Sequence, residues 1–172
     1  ITWSMLSLAM VHVQKMCRRK AGDARGMVAE LFQEAGGIMH ELLAHLFNDV
    51  LLPKTKVPSD WKETRLKVIF KNGGPQMSEN FRPIAVLSIV YKVFSRIVNG
   101  RIKDTLLAAQ ACDQAGFRPG FGCEDHLFAV TLLAEKINEY SQPMWIAAVD
   151  FKKAFDTISH VKLWSALREQ GV

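Results

Sequence analysis

A continuous apolar run that ends in a carboxylate constrains the fold of this chain more than any other feature. The run extends from Met144 to Val149, follows Pro143 and is followed by Asp150. A short apolar run bounded in this way is typical of a buried strand. We therefore expect residues 145–150 to form a strand that holds Asp150 at the rim of a sheet.

Two roles are open for Asp150 at that rim. A rigidly held carboxylate suits Mg²⁺, because this ion takes few protein oxygens and completes its shell with water and phosphate. An aspartate also caps helices, and from position alone capping is the more frequent role. Asp156 follows six residues later, which is about 20 Å away in an extended strand and about 9 Å away in a helix, so the two carboxylates are poor candidates for binding one ion together. A metal ion at Asp150 therefore needs its partner carboxylate from elsewhere.

Local patterns predict a helix-rich α+β fold around this strand. Residues 3–20 and 26–51 have helical spacing, and Gly36-Gly37 can divide the second stretch into two helices. A β-hairpin is predicted over residues 65–87, because two short β-prone runs flank a turn rich in glycine and asparagine. Further helices are expected over residues 88–109, 124–140 and 160–170.

Positive charge is concentrated in the middle of the chain. The whole sequence has a net charge of +5, but residues 53–103 contain eleven basic and three acidic residues, net +8. Such a segment can bind the phosphates of a nucleic acid or a nucleotide. A solvated lysine face explains the charge alone equally well.

Cysteine usage and the N-terminal residues indicate the class of protein. Cys17, Cys112 and Cys123 lie far apart with no CxxC pair, which argues against a disulfide framework or a structural zinc site and favours an intracellular protein. The apolar start, Ile1 to Val13, is too short to span a bilayer, and basic residues follow it as they do not in a secretory signal. Since the first residue is Ile, we expect a fragment of a longer reading frame.

Four motifs resemble those of one family, in the same order and spacing over about residues 57–172. Asp150-Phe-Lys-Lys-Ala-Phe-Asp156-Thr-Ile-Ser-His160 resembles the first catalytic motif of reverse transcriptases, most of all those of non-LTR (LINE-type) retrotransposons. Val68-Ile-Phe-Lys71 and Asn80-Phe-Arg-Pro-Ile-Ala-Val-Leu-Ser88 are similar to the family's fingers motifs. Gln114-Ala-Gly-Phe-Arg-Pro-Gly120 resembles its fingers-to-palm segment.

The resemblance implies part of a right-hand polymerase fold. Residues 53–172 would be an incomplete reverse transcriptase domain, with the fingers and their β-hairpin followed by the start of the palm and one palm strand. Residues 1–52 would be a helical region preceding the fingers. The family's second catalytic motif, which contains an Asp-Asp pair, is not in the sequence, and neither are the remaining palm, the thumb and the endonuclease domain.

The implied function is RNA-directed DNA polymerisation, the transfer of deoxynucleotides to a primer 3′-hydroxyl with two Mg²⁺ or Mn²⁺ ions. The implied partners are an RNA template, a DNA primer, deoxynucleoside triphosphates and the rest of the polymerase polypeptide, with no membrane; the implied location is the nucleus and cytoplasm. Without the Asp-Asp pair, we expect residues 1–172 alone to be inactive.

Two alternatives to an active polymerase follow from the same residues. One is a non-catalytic remnant that acts at most as a basic nucleic-acid-binding piece. The other is a phosphatase-like enzyme with Asp150 as its nucleophile. The phosphatase is disfavoured, because it requires a second aspartate two residues later and position 152 is lysine.

The resemblance also implies roles for individual residues. Asp150 would be the first ligand of the metal ions, and the backbone of Phe151 would lie near the second metal and the incoming nucleotide. Phe155 would lie under the sugar and exclude a ribose 2′-hydroxyl. Lys71 and Arg82 would reach the triphosphate from the hairpin. The residues bordering the template or nucleotide path would be Gly116, Phe117 and Arg118.

Overall fold

The computed structural model describes residues 2–151 and 153–172, with side chains from Met5 onward. The chain divides into two compact units, which are an N-terminal unit, Ile1–Arg101, and a C-terminal unit, Ile102–Val172. Helices predominate, and the described residues form one two-stranded antiparallel sheet. No helix among these residues has both the length and the apolar character needed to cross a bilayer. The expectation of a helix-rich α+β fold is confirmed.

Three helices and a hairpin precede the long fourth helix, whose last residues belong to the C-terminal unit. The elements are α1 (Thr2–Gln14), α2 (Ala29–Glu34), α3 (Gly36–Val50), β1 (Arg65–Phe70), β2 (Phe81–Val86) and α4 (Ile89–Ala109). The hairpin and the helix expected over 88–109 are confirmed, and so is the division of 26–51. Gly36 has a φ of +74°, a backbone conformation that glycine adopts without steric cost.

The helix predicted over 3–20 ends earlier, at Gln14, and a buried glutamine explains why. The side-chain nitrogen of Gln33 donates to the carbonyl oxygens of Val13 (3.1 Å) and Met16 (3.0 Å). The side-chain nitrogen of Gln14 donates to the backbone carbonyl of Gln33 (3.2 Å). A helix end leaves carbonyl groups without intrahelical partners, and Gln33 donates to those of Val13 and Gln14 as well as to Met16 in the following loop.

Helix positions four residues apart form the core of the N-terminal unit. Residues with this spacing lie on one face of a helix. The buried ones are Met5, Ala9 and Val13 of α1 and Ile89, Val93 and Ile97 of α4. Phe47 of α3 is also fully buried, and its ring centroid lies 5.4 Å from that of Phe94 and 6.3 Å from that of Trp61. Aromatic packing therefore joins α3, α4 and the segment that precedes β1.

A buried carboxylate joins the loop after α1 to the start of α4. Asp23 is 4% exposed. One of its oxygens accepts hydrogen bonds from the backbone N–H groups of Arg25 and Met27, each at 3.0 Å. The other accepts from the N–H of Ile89, the first residue of α4, at 3.2 Å. Asp23 thus caps a helix that begins far from it in sequence, where the helix dipole favours negative charge.

The C-terminal unit contains two further helices, α5 (Cys123–Glu139) and α6 (His160–Glu169). Both were expected and are confirmed. The hydroxyl of Ser159 caps α6 by accepting from the N–H of Lys162 at 3.5 Å. At the start of α5, the N–H of Gly122 donates to the carboxylate of Asp125 at 2.8 Å. These local caps hold the helix ends in a unit in which none of the described residues is buried.

The strand expected over 145–150 is wrong: residues 142–151 have no regular secondary structure. A strand is stabilised by hydrogen bonds to a neighbouring strand and by a layer that covers its face. The only ladder among the described residues joins β1 to β2, so no strand pairs with this segment there. Its apolar side chains consequently face solvent, with Trp145 94% and Val149 78% exposed.

The Asp23 contact predicts a large loss of stability on substitution. We expect Asp23→Ala to lower the free energy of unfolding by about 2–3 kcal/mol, because the buried N–H of Ile89 and the partly buried N–H groups of Arg25 and Met27 lose their acceptor. Urea unfolding followed by tryptophan fluorescence measures this change. Asp49→Ala, which removes an exposed aspartate of the same unit, should change stability by less than about 0.5 kcal/mol. Equal losses in both variants would contradict the capping role.

Candidate active site

The hairpin places all of its basic side chains on one of its two faces. In an antiparallel pair, opposite residues share a face, and every second residue along a strand returns to it. Ile69 is opposite Arg82, so Lys71, two residues beyond Ile69, lies on the same face as Arg82. This basic face contains four cations, Arg65, Lys67, Lys71 and Arg82, together with the apolar residues Ile69, Ile84 and Val86. The apolar face consists of Leu66, Val68, Phe70, Phe81, Pro83 and Ala85.

The basic face presents unneutralised charge to solvent. Its four cations are exposed. In the described part of the chain, ion pairs join other residues, namely Arg18 to Glu34, Arg25 to Asp60 and Lys136 to Glu139. Like charges on neighbouring positions of a sheet repel one another, and an anion placed among them relieves that repulsion. This face can therefore bind a polyphosphate or a nucleic-acid backbone.

Glycine and asparagine at the tip keep the two strands in this register. The N–H of Lys71 donates to the carbonyl of Asn80 at 2.8 Å, which extends the ladder one residue beyond β1. The side chain of Asn80 donates to the carbonyl of Gly74 at 2.8 Å. Gly73 has a φ of +88°, and a Cβ at this position would lie 2.6 Å from the Asn80 side-chain nitrogen. The tip thus needs glycine at position 73 both for its backbone conformation and for space.

Asp150 and Phe151 lie exposed in the irregular segment that replaces the expected strand. A carboxylate accessible to solvent is chemically suited to be one ligand of Mg²⁺, which usually retains waters and binds through one or two carboxylates and substrate phosphates. Among the described residues, no group of three or more His, Cys, Asp or Glu side chains could hold a metal ion. Asp150 fits the chemistry of a single ligand, and the described residues contain no complete site.

Phe155 lies in a short, tightly bonded turn. The residues Ala154–Asp156 form one turn of 3-10 helix, and Lys153 before it has a φ of +51°. The carbonyl of Lys153 accepts from the N–H groups of Asp156 (3.0 Å) and Thr157 (3.2 Å). These bonds fix the backbone on both sides of Phe155, whose ring is 78% exposed.

The loop that contains Gly116, Phe117 and Arg118 is bound to the segment that follows α4. The side-chain nitrogen of Gln110 donates to the carbonyl of Gly116 at 3.4 Å. The guanidinium of Arg118 donates to the carbonyl of Ala111 at 3.1 Å. Between these anchors, Phe117 has a φ of +60° and is 95% exposed.

The structure brings two pairs of predicted site residues together. Lys71 and Arg82 share the basic face of the hairpin. In the C-terminal unit, the rings of Phe117 and Phe155 are in contact, with centroids 6.2 Å apart and an interplanar angle of 86°. Asp150 belongs to neither group and lies in the irregular segment before the Phe155 turn.

Two members of the basic face, Arg65 and Lys67, were not predicted as site residues. Their signal was present in the sequence, because Arg65 and Lys67 alternate with the apolar residues Leu66 and Val68. Alternation of this kind predicts a strand with one polar face. The two residues therefore extend the candidate phosphate-binding surface along β1.

The chain matches a protein family over most of the segments that carry these residues. Residues 69–172 match the family described as "Reverse transcriptase (RNA-dependent DNA polymerase)". The matched region includes Lys71, Arg82 and the C-terminal unit with Asp150.

Three relatives illustrate how much of such proteins the chain covers. It is 26% identical over 172 residues to the "Transposon TX1 uncharacterized 149 kDa protein" of Xenopus laevis, with 98% of the chain aligned. It is 24% identical over 170 residues to the "Retrovirus-related Pol polyprotein from type-2 retrotransposable element R2DM" of Drosophila melanogaster, with 98% of the chain aligned. It is 30% identical over 133 residues to the "Probable RNA-directed DNA polymerase from transposon BS" of Drosophila melanogaster, with 74% of the chain aligned. The chain spans 12%, 15% and 14% of the lengths of these relatives, respectively.

The basic face predicts salt-dependent binding of single-stranded RNA. We expect Lys67→Ala and Lys71→Ala each to weaken binding and to reduce the slope of log affinity against log salt by about 0.7, the value for one lost phosphate contact on a single strand. Fluorescence anisotropy with a labelled oligonucleotide at several salt concentrations measures both. Lys162→Ala, which removes an exposed lysine of α6, is the matched control. If all three variants changed the slope equally, binding would not depend on the hairpin.

Proposed function

The chain belongs to the reverse transcriptase family, and we propose that it is part of the RNA-directed DNA polymerase of a non-LTR retrotransposon. The polymerase would add deoxynucleotides to a primer 3′-hydroxyl on an RNA template. The observation that carries the proposal is the family match over residues 69–172, which includes every residue assigned a role below. The similarity to proteins named for retrotransposable elements and for RNA-directed DNA polymerase supports the type of element.

The chain would supply the fingers and the first part of the palm of this polymerase. Residues 53–172 would be the incomplete reverse transcriptase domain, and residues 1–52 the helical region before it. The small share of each relative that the chain spans supports a larger parent polypeptide. That polypeptide would contribute the remaining palm, including the second pair of catalytic carboxylates.

Lys71 and Arg82 would bind the triphosphate of the incoming nucleotide. Both are exposed on one face of the hairpin, and neither belongs to an ion pair in the described part of the chain. Arg82 can bind phosphate oxygens in a bidentate manner, while Lys71 supplies a compact charge on a flexible stem. Phosphoryl transfer depends mainly on positioning and charge neutralisation, and both side chains would serve these ends.

Asp150, with the backbone carbonyl of Phe151, would hold Mg²⁺ together with carboxylates from the rest of the polypeptide. The ion, when bound, neutralises charge on the transferred phosphate. Phe155 would lie under the sugar and exclude the ribose 2′-hydroxyl by its bulk. Gly116, Phe117 and Arg118 would border the template or nucleotide path.

A non-catalytic, basic nucleic-acid-binding piece is the second candidate for the chain in isolation. One observation favours it: the described residues include an exposed basic face but no cluster of metal-ligating side chains. Such a piece would bind RNA or DNA electrostatically and extend no primer. Primer extension therefore separates the two candidates.

Asp150→Asn is expected to abolish primer extension by the intact polymerase. The substitution keeps the size of the side chain but removes the negative charge that a two-metal site requires. The measurement is extension of a DNA primer on an RNA template with Mg²⁺. Asp113→Asn is a control at an exposed aspartate of the same unit and should extend the primer at close to the wild-type rate. Residues 1–172 alone should extend none, and extension that persists in Asp150→Asn would refute the role of Asp150.

Phe155→Val is expected to reduce discrimination against ribonucleotides. Removing the ring opens space for one hydroxyl, and small-group discriminations of this kind are about 1–3 kcal/mol. The ratio of kcat/KM for a deoxynucleotide to that for the matching ribonucleotide measures the change in the intact polymerase. Phe155→Tyr, which keeps the ring, should retain most of the discrimination. An unchanged ratio in Phe155→Val would remove Phe155 from the sugar site.

A further inference from the structure

Phe117 and Phe155 meet edge to face although both rings are largely exposed. Their centroids are 6.2 Å apart, with an interplanar angle of 86°. This geometry is favourable for aromatic rings, because the positive edge of one ring meets the negative face of the other. With 95% of Phe117 and 78% of Phe155 exposed, burial contributes little to the contact. Its main consequence is to restrict the orientation of the two rings.

Phe117 is held in place by the residues on either side of it. The carbonyl of Gly116 accepts from the side chains of Gln110 (3.4 Å) and Gln114 (3.3 Å). The guanidinium of Arg118 donates to the carbonyl of Ala111 (3.1 Å), and its central carbon lies 4.4 Å from the centroid of the Phe121 ring. Phe117 itself has the left-handed φ of +60°, which bulky residues adopt only where their surroundings impose it.

Phe155 is held independently by its own turn. The hydroxyl of Thr157 donates towards the carbonyls of Lys153 (3.3 Å) and Ala154 (3.2 Å), in addition to the backbone bonds of the turn. Two hydrogen-bonded turns, far apart in sequence, thus present their rings to each other. Since each backbone is fixed locally, the ring contact can transmit the position of one side chain to the other.

We propose that Phe117 is a positioning residue that orients the Phe155 ring against the sugar of the incoming nucleotide. This inference rests on the proposed function, in which Phe155 lies under the sugar. A steric selector excludes a single hydroxyl only while its ring cannot rotate away, so a neighbour that restricts its rotation increases selectivity. Phe117 acts on sugar choice through Phe155 and contributes no group to the transfer reaction.

The test measures sugar discrimination in the intact polymerase, as the ratio of kcat/KM for a deoxynucleotide to that for the matching ribonucleotide. Phe117→Leu removes the aromatic ring but keeps an apolar side chain, and we expect it to lower the ratio about two- to tenfold. Phe117→Asn should do the same, because asparagine tolerates the left-handed backbone, so a shared effect is due to the ring. Phe117→Tyr keeps the ring and should retain the wild-type ratio.

Controls and a double variant separate positioning from a general loss of structure. Phe128→Leu alters an exposed phenylalanine of α5 and should leave the ratio unchanged. A purely structural defect lowers kcat/KM for both nucleotides and also leaves the ratio unchanged. If Phe117 acts through Phe155, then Phe117→Leu should have no further effect on the ratio in a Phe155→Val background.

The outcomes distinguish this inference from the proposed function. If Phe155→Val lowers the ratio and Phe117→Leu does not, Phe155 keeps its sugar role and Phe117 loses its positioning role. If the two substitutions have additive effects, Phe117 acts independently of Phe155 and the inference is overturned. If Phe155→Val leaves the ratio unchanged, the proposed sugar site itself is wrong, and the inference fails with it.

Discussion

The N-terminal unit depends above all on the buried carboxylate of Asp23. It accepts hydrogen bonds from two N–H groups of its own loop and from the N–H of Ile89. Ile89 begins α4 shortly after β2 ends at Val86, so this contact anchors the end of β2 at the base of the hairpin. The start of β1 is anchored by Trp61, a buried residue of the segment that precedes this strand. Its ring packs against α4, with its centroid 5.0 Å from that of Phe94. A helix cap and an aromatic contact therefore anchor both strands at the base of an otherwise exposed hairpin.

This anchoring allows the hairpin to carry side chains that do not stabilise it. A two-stranded hairpin alone is marginally stable in water, and the cations of the basic face repel one another. Cross-strand packing of Phe70 on Phe81, with centroids 5.4 Å apart, supplies some stabilisation on the opposite face. The remaining stabilisation has to come from the contacts that anchor the two strands at the base of the hairpin, since both faces are largely exposed. Stability is thus supplied by the core, and the hairpin surface can carry exposed cations that do not stabilise it.

The parts of the fold that were predicted correctly have local signals, and the parts that were missed depend on distant partners. Two β-prone runs around a turn rich in glycine and asparagine were enough to predict the hairpin, and spacing was enough for α4, α5 and α6. The end of α1 is bonded to Gln33, which lies 19 residues beyond Gln14. No local sequence pattern around Gln14 indicates that the helix ends there. An apolar run can predict the burial preference of residues 145–150, but it cannot supply the neighbouring strand. The grouping of Lys71 with Arg82 was implied by the resemblance to the family's fingers motifs, whereas no sequence pattern indicated the contact of Phe117 with Phe155.

The register of the hairpin is what converts a basic sequence into a basic face. Side chains alternate with a period of two, so a slip of one residue in one strand would move its charges to the opposite face. Lys71 would then no longer share a face with Arg82, although the net charge of the segment would be unchanged. The register is fixed at the tip, where Gly73 allows the side chain of Asn80 to approach and bond to the carbonyl of Gly74. A glycine and an asparagine at the tip therefore determine which cations share a face of the hairpin.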